Sequence, residues 1–137
     1  MERNTQKLII ICLFLFTFSN ISAQGFKLPE YTNFKLPNGL TVYLMEQRDV
    51  PVISVSAILP AGAIYDQEKN GLAYLTAKAL KHGTKNFSKS KLDEEIDFIG
   101  AYIGTDASKE FASVSSKFAA KDQDKMLALI KEILLDP

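Results

Sequence analysis

Between Phe34 and Leu135 the apolar side chains switch spacing three times, from every second residue to every third or fourth, back again, and back once more. A period of two lines one face of a strand, and a period near 3.6 lines one face of a helix, so this switching demands a layered mixture of both. Phe34, Leu36, Leu40, Val42 and Leu44 alternate with polar neighbours around Pro37-Asn38-Gly39, which predicts a hairpin with one buried face and a second strand over about residues 40–46. Ile53, Val55, Ala57 and Leu59 predict a further strand, opened by Pro51 and closed by Pro60 and Gly62. From Asn70, a candidate N-cap, Leu72, Leu75, Ala79 and Leu80 follow helical spacing up to Gly83. A second helix is expected from Ser88 or Ser90, burying Leu92, Ile96 and Ile99 and stopping at Gly100. Tyr102 to Ser108 and Glu110 to Ala119 predict two more strands, after which Asp122 caps a helix with Met126, Leu127, Ile130, Ile133 and Leu134 inward. The expected class is α+β, with helices against one face of a mostly antiparallel sheet.

The first 23 residues do not share these patterns. A short polar stretch ends at Lys7, an unbroken apolar run begins at Leu8, and Ser22-Ala23 supplies the small residue a signal peptidase requires. The run from Leu8 to Phe18 is too short for a lasting transmembrane helix, so a cleaved export signal over 1–23 is favoured over an uncleaved anchor. A lipoprotein is disfavoured, because Cys12 lies inside the run behind Ile11. The expectation is an exported protein, periplasmic or extracellular, with no membrane association after cleavage.

Residues 24–137 then contain no cysteine, and a disulfide-free exported chain of about 114 residues must hold together by its core alone. Lys plus Arg equals Asp plus Glu at 16 each, which leaves no basic excess for phosphate and argues against nucleic acid as a partner.

Two stretches carry a resemblance. Phe34-Lys35-Leu36-Pro37-Asn38-Gly39-Leu40, followed after a strand by Pro60-Ala61-Gly62-Ala63-Ile64-Tyr65-Asp66, resembles the N-terminal domain of insulinase-type (pitrilysin-like) zinc peptidases. Asn70-Gly71-Leu72-Ala73-Tyr74-Leu75-Thr76-Ala77-Lys78-Ala79-Leu80-Lys81-His82-Gly83-Thr84 is similar to the helix that in that family reads G-L-A-H-x-x-E-H-x-x-x-x-G-T. The similarity extends from Tyr31 to Pro137. It implies the family's α+β peptidase domain over 24–137, expected to be incomplete because the family's domains are longer.

In active members the inverted H-x-x-E-H sequence sets two imidazoles one helical turn apart on one Zn²⁺, with the Glu as general base. Here the corresponding positions hold Tyr74, Ala77 and Lys78. Protonated Lys has no lone pair, and Ala moves no proton, so the resemblance implies no catalytic residue, no metal ligand and no cofactor in this chain; zinc is expected only in an active partner or relative. Tyr74 and Lys78, four apart on a helix, can alternatively be an ordinary surface pair with the Lys stem along the ring. His82 is the single histidine, and at the end of its helix it suits the C-terminal dipole better than a metal site. Asp66 and Glu68 are read as a solvated loop pair.

A second implication concerns the strand after Gly100. In active relatives an edge strand at this place pairs with the substrate main chain, a mode that tolerates many side chains and can outlast loss of zinc. Gly104 and Thr105 stand where the family usually has Asn-Ala, so weak, sequence-tolerant binding of extended peptides is expected along Ile103, Gly104, Thr105, Asp106 and Ala107, against the alternative of a plain edge strand.

Three functions remain open on the sequence. The favoured one is a non-catalytic insulinase-family subunit that helps an active zinc peptidase partner form a peptide-binding chamber. The alternatives are a purely structural family member and the N-terminal piece of an active metalloendopeptidase whose catalytic site lies elsewhere in a longer chain.

Overall fold

Pro37-Asn38-Gly39 makes the turn its residue types call for. The Leu36 N–H donates to the Leu40 carbonyl and the Gly39 N–H to the Leu36 carbonyl, the Asn38 side chain accepts from the Leu40 N–H at 3.1 Å, and Gly39 takes φ +89°. The turn joins β1 (Thr32–Lys35) to antiparallel β2 (Thr41–Leu44), with Phe34 opposite Val42. The computed structural model describes residues 28–137, so the expected export signal over 1–23 lies outside the described residues. It divides at Glu46 into two units, the hairpin in the first and everything from Gln47 onward in the second.

The expected buried face of the hairpin is not found. Phe34, Leu36, Leu40 and Leu44 are all exposed, and only Val42 is half-covered. Two strands of four residues form a single layer, and a single layer cannot enclose its own side chains.

The second unit contains β3 (Val52–Leu59), α1 (Leu72–Ala79), α2 (Lys89–Ile99), β4 (Tyr102–Ala107), β5 (Ala112–Ala119) and α3 (Gln123–Leu135). Its sheet is antiparallel in the order β3-β5-β4, so the sheet read as one from sequence consists, among the described residues, of this three-stranded sheet and the hairpin's own. Ile53 faces Phe118 and Ala57 faces Val114, while Ile103 faces Ser116 and Thr105 faces Val114. That register collects Ile53, Val55, Ala57, Ile103, Val114 and Phe118 on one side, where they meet Leu92 of α2 and Met126, Leu129, Ile130 and Ile133 of α3. The class is therefore α+β with helices on one face, as the periodicities predict. Leu92, Met126 and Ile133 are fully buried, each worth about 1.5–3 kcal/mol of transfer free energy.

Several boundaries and inward positions differ from the sequence expectation. Leu127 is exposed and Leu129 is buried instead, because positions 126, 129, 130 and 133 make the tighter stripe. Asp122 precedes α3 but forms no side-chain cap bond, since a 3₁₀ turn over Ala120–Asp122 leads into the helix. Leu59, at the end of β3, is exposed. Helix α2 matches its signals: the Ser88 side chain accepts from the Lys91 N–H, and Gly100 ends it in the left-handed region.

Helix α1 begins later than expected. Its N-cap position is Gly71, not Asn70, and no side chain at that position caps it. Asp66 does so from five residues upstream, one carboxylate oxygen accepting from the Gly71 N–H and the other from the Ala73 N–H, both at 2.8 Å. The carboxylate read as solvated is thus nearly buried, with 6% of its surface exposed. The loop carrying it is fastened to the β4–β5 turn by Ala63 and Ile64, whose N–H groups donate to Ser108 and Lys109 carbonyls. Gly62 is required for that approach, because a Cβ there would lie 2.3 Å from the Glu110 carbonyl carbon.

Candidate functional site

Helix α1 packs along β4, the strand at the end of the three-stranded sheet. An antiparallel strand turns the N–H and C=O of alternate residues to alternate sides, and the Ile103 carbonyl accepts from the Lys81 ammonium at 2.9 Å rather than from β5. Ile103, Thr105 and Ala107 therefore present main-chain groups at the outer edge, while Tyr102, Gly104 and Asp106 pair with β5.

The substituted motif positions meet this edge. Ala77 points into the protein with 3% exposure, while Tyr74 and Lys78 lie on the surface. The Lys78 ammonium sits 5.1 Å from the Tyr74 ring centroid, and it also lies 3.4 Å from an Asp106 carboxylate oxygen on β4. That ion pair joins the two groups of residues singled out from sequence, one on the helix and one on the strand. Both partners are substantially exposed, so the pair orients more than it stabilises.

These residues do not fit a zinc ion. A cation satisfied by a carboxylate and a ring face stands where an imidazole would be needed, and a methyl group where a carboxylate would be needed. Among the described residues no three His, Cys, Asp or Glu side chains gather as a metal site. His82, beyond the last turn of α1, places Nδ1 3.1 Å from the Lys78 carbonyl oxygen, one of the helix's unpaired acceptors. Glu68 is exposed.

Between α1, α2 and β4 lies a pocket of about 310 Å³, lined by Lys78, Lys81, His82, Lys89, Asp93, Tyr102, Gly104 and Thr105. Lys89 is ion-paired with Asp93 one turn along α2. The space above Gly104 is taken by the Tyr102 phenol, whose oxygen lies 2.3 Å from where a Gly104 Cβ would be. Gly104 thus accommodates the Tyr102 ring of its own strand. Thr105 is buried, and its hydroxyl has no hydrogen-bond partner.

Sequence reading overlooked Lys81, Lys89 and Asp93. For Lys81 a signal existed, since it follows Lys78 by three residues and so shares its helical side. Lys89 and Asp93 belong to a different helix, and only the tertiary fold brings them to β4.

A family model described as insulinase, peptidase family M16, matches residues 41–137. Subunit 1 of the mitochondrial cytochrome b-c1 complex of Bos taurus is 32% identical over 107 residues, covering 77% of this chain and 22% of its own length. The beta subunit of the mitochondrial-processing peptidase of Saccharomyces cerevisiae is 29% identical over 133 residues, covering 96% of this chain and 26% of its own. Among solved structures, the peptidase M16 inactive domain from Pseudomonas fluorescens superimposes with a TM-score of 0.73 at 24% identity, over 76% of this chain and 26% of that one. The chain thus spans about a quarter of the length of these relatives.

Proposed function

We propose, from the premise that the chain belongs to the insulinase family of peptidases, family M16, that it is a non-catalytic member which holds extended peptides beside an active zinc peptidase partner. The observation that carries this reading is the outer edge of β4, whose main-chain groups at Thr105 and Ala107 have no neighbouring strand among the described residues, set beside a helix whose motif positions serve an ion pair instead of a metal. Such an edge contributes affinity through N–H to carbonyl bonds and needs no catalytic group. Export through the segment 1–23 would place the protein in the periplasm or outside the cell.

The test is binding of extended peptides to the full chain, with and without Thr105→Pro, which removes one outward N–H while leaving the pairing with β5 intact. Peptides N-methylated at alternate residues provide a version with unaltered protein. The expected result is that one methylation phase abolishes binding and the other does not; equal binding by both phases would sink the reading. The chain is further expected to hold no stoichiometric zinc. One tightly bound equivalent, lost on replacing Tyr74 or Lys78, would overturn that part.

The cytochrome b-c1 relative supports a second reading, that of a structural part of a larger assembly. Co-purification separates the two: an intact zinc peptidase recovered with the chain favours the first, and a stable assembly without peptidase activity favours the second.

A further inference from the structure

We propose that the pocket beside β4 selects a carboxylate on the peptide, with Lys81 as the residue that takes it. This rests on the edge-strand reading above and adds a preferred chemistry at one position. The Lys81 ammonium lies 2.9 Å from the Ile103 carbonyl oxygen, the distance an incoming peptide N–H would occupy on that same acceptor. A strand adding in this register must move the ammonium aside.

Once moved, the ammonium is available to a new partner, and the carboxylates nearest the pocket are already engaged. Asp106 pairs with Lys78 and Asp93 with Lys89, whereas Lys81 has no carboxylate partner among the described residues. Three lining ammonium groups against the lining Asp93 and the adjacent Asp106 leave the pocket with a positive excess. Thr105 adds an independent pointer, a lining residue with 7% exposure whose hydroxyl donates to nothing. A carboxylate can accept from both an ammonium and a hydroxyl, while an amide of the same shape brings no compensating charge. Side-chain acids and a free C-terminus share this chemistry.

The alternative is that Lys81 is only a plug, an edge lysine that discourages unwanted strand pairing. One experiment separates the possibilities. Acetylated, amidated heptapeptides of alternating Thr and Val, with Glu or Gln at the centre, are titrated against the full chain and its Lys81→Met variant, together with the Gln peptide bearing a free terminal carboxylate. Methionine keeps an aliphatic stem of similar length, so packing of the half-buried side chain is retained.

The expected result is about five-fold tighter binding of the Glu peptide than of the amidated Gln peptide at low salt, the difference shrinking at about 0.5 M salt. In Lys81→Met the preference disappears while the Gln peptide binds more tightly than before. A gain confined to the free-terminus peptide assigns the site to a C-terminal carboxylate. Equal binding of all three peptides to the unaltered chain overturns the proposal and leaves Lys81 as a plug. A Glu preference that survives Lys81→Met overturns it as well. Failure of every peptide to bind overturns the edge-strand reading beneath it.

Discussion

Helices α3 and α1 serve the same three-stranded sheet in different ways. Helix α3 buries Met126, Leu129, Ile130 and Ile133 and joins the core, whereas α1 buries Ala77 alone and leaves Leu72, Tyr74 and Leu75 exposed. Apolar packing fixes the first helix. The second is held from its ends and edge by the Asp66 carboxylate, by Lys81 on Ile103 and by Lys78 beside Asp106. An element fixed by a few polar bonds can be repositioned by a few substitutions.

Truncating Ile133 to Ala should test the apolar side of this comparison most severely, with a loss of about 2–5 kcal/mol in urea denaturation of the full chain. A loss under ~1 kcal/mol would mean that α3 is not the main support of the core. Asp66→Ala should cost about 1–2 kcal/mol, and hydrogen exchange should locate the loss at the Gly71 and Ala73 amides. Were exchange at those amides unchanged, another contact would have to hold the start of α1. Lys78→Met should change stability by less than ~1 kcal/mol, because its ion pair and ring contact are both exposed. A loss as large as that of Ile133→Ala would erase the distinction between the helices.

The smallest effect concerns the tie between α2 and α3. Glu95 accepts from Lys125 of α3 and Lys91 of α2, and these two ammonium groups, Lys125 foremost, hold its carboxyl below the ordinary value. A carboxyl whose folded pKa is lowered adds stability above its unfolded pKa, and that contribution is lost as pH falls through the folded value. Glu95→Gln should therefore flatten a small part of the acid limb of the stability curve and leave the neutral-to-alkaline part parallel to that of the unaltered chain. Superimposable acid limbs would show that the tie does nothing measurable.

What could be read from the sequence follows the same division. Strong periodicities located β3, α2, β4, β5 and α3, because period and burial coincide where a helix and a sheet face each other. The Pro37-Asn38-Gly39 turn was readable because its backbone demands those residue types. Asp66 was missed because its capping bonds reach five and seven residues along a loop, a spacing that no standard capping pattern contains. Leu127 was misassigned because exposure on α3 depends on where the sheet lies and not on hydrophobicity. In the candidate site, Tyr74, Ala77 and Lys78 were legible through the family resemblance. The link from Lys78 to Asp106 was not, because it joins residues on two elements through tertiary structure.

The fastening of Ala63 and Ile64 to Ser108 and Lys109 sets an order in time. The β4–β5 hairpin closes over a few residues, but the loop that caps α1 has nothing to grip until that hairpin's turn exists, and Gly62 must then pass against its backbone. Contacts across short loops form early because they cost less chain entropy than contacts spanning two helices. The framework of the β4 edge should thus be complete before the helix beside it is seated. In pulse-labelled refolding, β5 amides should gain protection no later than those of Ala63, Ile64, Gly71 and Ala73, so that α1 is among the last parts of the unit to become native.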